Sequence, residues 1–174
     1  MGFFKKLFGI KRVNATESLP RRLVPPQLVW DTTSRTFCGI PLPGPFESLV
    51  QFGPAETFKA LNEQYWILGY PALGLGLEVG QRQVKQVTIL ISEHPGDLRP
   101  DYTFARPMLA PANKALSPET TPESLTALLG ESEPMFEDEE ETILYFKNGD
   151  IRLEMAFTPD RKRLMKIDIY NDFE

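Results

Sequence analysis

The sequence is poor in the residues that most chemistry requires. It has one cysteine, Cys38, so no intrachain disulfide can form. It has one histidine, His94, in the turn-rich His94-Pro95-Gly96. Two such residues cannot furnish the three or four Cys or His ligands of an ordinary zinc site. A Ser or Cys nucleophile would have only His94 as its imidazole base, and a histidine in such a turn is expected to be simply solvated. The glycines form neither GxGxxG nor GxxxxGK[ST]; residues 69–76, GYPALGLG, lack the lysine and the following helix that cradle a phosphate. The acidic run ESEPMFEDEEE at 131–141 lacks the Asp-x-Asp-x-Asp-Gly spacing of a calcium loop. No apolar run approaches the roughly 18 residues of a membrane-crossing helix. The first residues contain no continuous apolar core of a secretory signal. These absences lead to the expectation of a non-enzymatic protein with no cofactor and no metal, in the cytosol.

Charge is unevenly placed. The 174 residues carry a formal net charge of −5. Residues 1–22 hold Lys5, Lys6, Lys11, Arg12, Arg21 and Arg22 against Glu17 alone, a local +5, so the remainder sums to −10. An acidic body is a poor match for nucleic acid, whose phosphates demand clustered Lys and Arg.

Residues 1–12, MGFFKKLFGIKR, form a basic amphipathic segment. Wound as a helix, it gathers Phe3, Phe4, Leu7 and Phe8 on one face and leaves Lys5 and Lys6 elsewhere. Such a segment can lie on an anionic membrane surface, dock on its own body, or serve as a handle for a partner. The membrane-surface reading assigns Phe3, Phe4, Lys5, Lys6, Leu7 and Phe8 to that contact and places the protein at the inner face of the membrane. Residues 13–35, with Pro20, Pro25 and Pro26, read as a Pro-rich linker holding a short edge strand at Leu28–Trp30.

The clearest periodicity lies near the C-terminus. Ile151, Leu153, Met155 and Phe157 alternate with Arg152, Glu154 and Ala156, and Met165, Ile167 and Ile169 alternate with Lys166, Asp168 and Tyr170. Period two means half-buried strands, and Thr158-Pro159-Asp160 supplies a turn. Opposite charges directly across a ladder favour pairing and like charges oppose it. That rule predicts Met155 opposite Met165, Leu153 opposite Ile167, Glu154 opposite Lys166 and Arg152 opposite Asp168.

A fainter copy precedes it. Thr36-Phe37 matches Thr103-Phe104, Leu42 matches Leu109, Glu47-Ser48-Leu49 matches Glu123-Ser124-Leu125, and Gly53 matches Gly130. Leu77-Glu78 matches Leu153-Glu154, and Val87 and Ile89 match Ile167 and Ile169. Each copy reads as a short helix followed by a meander. The expected fold is therefore α+β, with two tandem modules, each a short helix and a three- to four-stranded antiparallel meander, helices on one face. The boundaries are 36–91 for the first repeat module, 92–102 for a connector and 103–174 for the second module.

Residues 36–172 resemble the small modules of the β-lactamase-inhibitor-protein type and of the outer-membrane lipoprotein family of the SmpA/OmlA kind. A further bacterial family is similar in pattern. The resemblance is carried by Glu47-Ser48-Leu49 with Gly53, Tyr65 to Leu68 and Leu75 to Val79, and by Glu123-Ser124-Leu125 with Gly130, Thr142 to Phe146 and Ile151 to Phe157. It implies a helix-plus-meander architecture and protein binding through an exposed sheet face. The chain departs from the inhibitor pattern in lacking disulfides, and from the lipoprotein pattern in lacking an N-terminal cysteine. No functional residue carries over.

The outward sheet face is the candidate site. It would present Glu78, Thr88, Arg152, Glu154, Lys166, Asp168 and Tyr170, with Trp66 nearby. Two readings are open: a solvent face whose charges satisfy one another, or a surface docking a protein partner, with Trp66 and Tyr170 as anchors because aromatics dominate interface energetics. The expected function is a protein-binding or adaptor protein, inhibitor- or immunity-like. The alternative is a peripheral membrane scaffold held by residues 1–12.

Overall fold

Alternating apolar and polar residues dominate the chain, and the fold is built from strands accordingly. The computed structural model describes residues 14–93 and 102–171. The strands are β1 (Val29–Asp31), β2 (Thr36–Phe37), β3 (Ile40–Pro41), β4 (Gly44–Pro45), β5 (Thr57–Ala60), β6 (Tyr65–Tyr70), β7 (Leu75–Gly80) and β8 (Gln83–Leu90). After the central connector come β9 (Met108–Ala110), β10 (Lys114–Ala115), the helix α1 (Pro122–Leu129), β11 (Glu133–Glu137), β12 (Thr142–Asn148), β13 (Ile151–Phe157) and β14 (Leu164–Asn171).

Two sheets result. The larger has nine strands in the order β11-β12-β13-β14-β8-β7-β6-β5, with β4 added beside β8. The smaller has five, in the order β10-β9-β1-β2-β3. This overturns the expectation of two helix-plus-meander modules. The fold is mostly strand, and α1 is the one helix of seven or more residues among those described. The first copy's predicted helix is a six-residue 3-10 helix, Phe46–Gln51. Pro45 precedes it and Gly53-Pro54 follows within two residues, leaving too little length to repay α-helix nucleation. The second copy does form α1, because Thr121 caps it, accepting from the Ser124 amide at 3.3 Å, and Pro122 occupies the first turn.

The meanders do not stand apart. Strand β8 pairs antiparallel with β14, Ile89 against Ile167 and Val87 against Ile169. Reading outward from that seam, each side is an antiparallel run of four strands. A rotation about the seam that exchanges Val87 with Ile167 and Ile89 with Ile169 also exchanges Leu77 with Met155, since these pair with Val87 and Ile167. The sequence match of Leu77 to Leu153 is thus displaced by two residues in the sheet.

The core is two apolar rows crossing the large sheet. One runs Leu68, Leu77, Val87, Ile169, Leu153, Phe146. The other runs Tyr70, Leu75, Ile89, Ile167, Met155, Leu144. All twelve side chains are buried. Against them lies the small sheet: Trp30, Leu109 and Leu116 meet Ile89, Leu153, Met155, Ile167 and Ile169 across a void of only about 10 Å³. Strand β1, read from sequence as an edge, is internal. It pairs parallel with β9 and antiparallel with β2, and Trp30 at its centre is 1 % exposed. Residues 13–35 therefore contribute to the core through Leu28 and Trp30.

The β13–β14 register departs from the charge-based expectation by two residues. Met155 faces Ile167, Leu153 faces Ile169, Arg152 faces Tyr170 and Glu154 faces Asp168. A shift of two keeps every side chain on its own face, so the hydrophobic pattern permits both registers. The choice is made elsewhere. A bulge between Ala156 and Phe157 takes up the chain entering the turn. That turn is closed by the Thr158 amide donating to Arg163 O at 2.9 Å and the Arg161 amide to Thr158 O at 2.7 Å.

Replacing Leu153 by Ala, at the centre of a packed row, should cost about 2–5 kcal/mol. Glu78→Ala, exposed on the opposite face, should change stability by less than about 0.5 kcal/mol. Urea unfolding of the two variants measures both; a Leu153→Ala cost as small as that of Glu78→Ala would contradict the row description.

Candidate functional site

The polar members of the same strands fall on the other face of the nine-stranded sheet. One row runs Tyr145, Glu154, Asp168, Thr88, Gly76, Gly69, and the next runs Lys147, Arg152, Tyr170, Gln86, Glu78, Ile67. Glu78, Thr88, Arg152, Glu154, Lys166, Asp168 and Tyr170 are thus brought together across β7, β8, β13 and β14, as alternation predicts. Trp66 is not with them. It pairs with Val79, and its ring packs edge-on against Phe46 (5.7 Å) and tilted against Phe58 (6.3 Å), on the core side. The reason is parity: Trp66 and Leu68 are two apart and share a face.

Glu154 and Asp168 sit directly opposite, an arrangement that ordinarily destabilises a ladder. Each is held by a different partner. Asp168 is 7 % exposed. Its carboxylate accepts from Thr88 Oγ1 at 2.5 Å and Gln86 Nε2 at 3.2 Å, and Lys166 Nζ lies 3.2 Å away. Glu154 accepts the Tyr170 hydroxyl at 2.5 Å. Burial, and then that bond to Glu154, pushes the Tyr170 phenol up to about 12. The Tyr145 phenol is raised as well, by burial first and then by the Glu154 charge.

Arg152 bridges to the edge. Its guanidinium lies 4.8 Å from the Tyr145 ring centroid and donates to Glu133 Oε2 at 3.2 Å. Glu133 also meets Lys147 Nζ at 2.5 Å, and its carboxyl is held below the ordinary range by the Lys147 bond first, with Arg152 adding to it. The predicted pairings of Arg152 with Asp168 and Glu154 with Lys166 are replaced by Arg152–Glu133, Glu154–Tyr170 and Asp168–Lys166. Tyr145, Lys147 and Glu133 were missed as members of the face. The alternation of Tyr145 and Lys147 with Leu144 and Phe146 was a sufficient signal for the first two; Glu133 lies on a strand that the acidic composition disguised as loop.

The rest of that acidic run is partly ordered by its own backbone. Asp138 Oδ1 accepts from the Glu140 and Glu141 amides at 2.8 and 2.9 Å, and Glu137 pairs with Arg161. Among the described residues, no group of three or more His, Cys, Asp or Glu is placed to hold a metal ion. Cys38 is half-buried, and burial raises its thiol to about 11, so it is a poor nucleophile at neutral pH. His94, and the membrane-surface candidates Phe3, Phe4, Lys5, Lys6, Leu7 and Phe8, lie outside the described residues. Among the described residues, open clefts of about 560 Å³ lie at two places. Trp66, Glu63, Gln64, Gln81 and Arg82 line one; the other lies at the start of α1, with Glu123, Thr126, Ser132 and Arg161.

No protein-family model matches this chain, and no curated protein matches it. Among solved structures, it is similar to a cysteine-rich secretory protein from Staphylococcus aureus, with 11% identity and a TM-score of 0.39 over 84% of this chain and 52% of that one. The chain thus spans about half the length of that protein, and a similarity at that level carries no argument about fold or function.

Raising the folded-state phenol above its unfolded value near 10 means that the stabilisation from protonated Tyr170 is full below pH 10. It is lost as pH rises from about 10 through about 12. An ultraviolet titration of the folded protein should show a phenol ionising near pH 12 that Tyr170→Phe removes. A difference titration centred near pH 10 would contradict the burial and the Glu154 bond.

Proposed function

We propose that this chain is a non-enzymatic protein-binding module that docks a folded partner against the outer face of its nine-stranded sheet. The observation that carries the reading is the state of the charges on that face. Lys147, Arg152 and Lys166 are each matched to Glu133 or Asp168, so the face projects little net field. Such a surface suits neither a phosphate backbone nor an anionic bilayer, both of which require unmatched cations. It suits a protein surface of mixed polarity. Tyr145, Tyr170 and Arg152, residue types that concentrate binding energy at interfaces, remain partly exposed on it. Hydrogen bonds and stacking hold them in place, which reduces the entropy lost on association. A cytoplasmic location and an inhibitor- or immunity-like role belong to this proposal. The absence of an enzymatic role in it rests on the scarcity of His and Cys and on the raised Cys38 thiol.

A second reading, peripheral attachment to a membrane through residues 1–12, is favoured by their basic amphipathic sequence.

The partner is to be recovered by affinity capture from the native host, identified, and its affinity measured for wild type, Tyr170→Ala and Glu78→Lys. Binding should weaken at least about tenfold with Tyr170→Ala, as for an interface anchor, and measurably with the exposed Glu78→Lys, which keeps the core intact. Unchanged affinity in both variants sinks the reading.

A further inference from the structure

The structure also points to a surface at the opposite kind of extreme, unmatched cations around bare apolar side chains. Leu23 is 100 % exposed and Val24 is 77 % exposed, next to the exposed Arg21 and Arg22. The loop does not hang free. Arg22 Nε donates to Val50 O at 3.2 Å, and a Cβ built on Gly53 would lie 3.1 Å from Pro20 O and 3.5 Å from the Arg22 amide. Val50, itself 40 % exposed, extends the apolar patch.

Residue 14 is fastened to the same pole. Asn14 Nδ2 donates to Ala55 O at 3.0 Å, and the Ala55 amide donates to Thr16 Oγ1 at 2.8 Å. Segment 50–55 thus holds both the Arg21–Val24 loop and the point from which residues 1–13 depart. Those residues add Lys5, Lys6, Lys11 and Arg12, and Glu17 is the one carboxylate in residues 1–24. In contrast with the outer sheet face, no cation–carboxylate pair is formed by Arg21 or Arg22 among the described salt bridges.

We propose that the loop Arg21–Val24, with Val50 beside it, is a membrane-contact loop that inserts Leu23 and Val24 between the headgroups of an anionic bilayer while Arg21 and Arg22 meet the lipid phosphates. This inference rests on the second reading, peripheral attachment through residues 1–12, and gives it a second contact. Two weak signals acting together are what stable peripheral attachment requires. Each cation near the surface adds to the attraction, and the contribution decays within a Debye length. An exposed Leu and Val beside two exposed arginines that form none of the described salt bridges match that chemistry; a nucleic acid would satisfy the arginines and leave the two apolar side chains in water.

The test is co-sedimentation of the full chain with vesicles rich in phosphatidylserine and with vesicles of phosphatidylcholine alone. Its variants are Leu23→Asp/Val24→Asp and Phe4→Asp/Leu7→Asp. Because Leu23 and Val24 are exposed, the first variant keeps the fold, which circular dichroism checks. The expected result is binding to the anionic vesicles only, weakened at least about tenfold by Leu23→Asp/Val24→Asp and released by roughly 0.5 M salt. If that variant binds as wild type does while Phe4→Asp/Leu7→Asp loses binding, residues 1–12 attach alone and the loop proposal is overturned. If wild type binds neither vesicle, or both equally, the loop proposal is overturned together with the reading on which it rests.

Discussion

The pairing of β8 with β14 is the interaction on which the rest of this structure depends. On one face it sets Val87 against Ile169 and Ile89 against Ile167, the middle of both apolar rows. On the other it brings Thr88 within 2.5 Å of the Asp168 carboxylate. Without that seam, each meander would expose the edge of a four-stranded ribbon and the flank of the seam residues Val87, Ile89, Ile167 and Ile169. With it, one nine-stranded sheet presents a continuous apolar surface, and the five-stranded sheet covers it. The same pairing aligns the polar rows that make up the candidate binding face, so core and site are two sides of one constraint.

The seam also accounts for a register that simple charge pairing would not choose. Placing Glu154 opposite Asp168 costs on the order of 0.2–1 kcal/mol if the two carboxylates have no other partners. Here Asp168 is held by groups on β8 and by Lys166, and Glu154 by Tyr170. Lys166 and Tyr170 belong to the hairpin itself, and Thr88 and Gln86, which take up the remaining capacity of the Asp168 carboxylate, come from β8, a strand that the isolated hairpin does not contain. A two-residue choice of register is invisible to alternation; the bulge at Ala156/Phe157 and the closed turn permit this one, and the β8 partners of Asp168 support it.

Much of the fold was legible wherever period two was strong. The strands around Leu75–Gly80, Gln83–Leu90, Ile151–Phe157 and Leu164–Asn171 and their inward faces follow from it. The polar residues of the candidate face followed too, with the exception of Trp66, whose parity with Leu68 puts it inside. What alternation could not show was the joining of segments distant in sequence: the β8–β14 seam, the parallel β1–β9 pair, and the use of a proline-rich stretch to place Trp30 in the core. The predicted module helices shrank because Pro45 and Gly53-Pro54 fence the first into six residues. Likewise, the common origin of Asn14 and the Arg21–Val24 loop at segment 50–55 is a tertiary fact. Sequence alone separated them into a tail and a linker.

The seam joins the two halves into one cooperative unit. Native-state hydrogen exchange tests it most directly, comparing amides of Leu68 and Leu77 with those of Leu153 and Phe146 in wild type and in Ile169→Ala. Truncating Ile169, 1 % exposed at the seam, should lower stability by about 2–5 kcal/mol. All four amides should lose protection by the same amount. Loss of protection at Leu153 and Phe146 with unchanged protection at Leu68 and Leu77 would show two independent modules and contradict it.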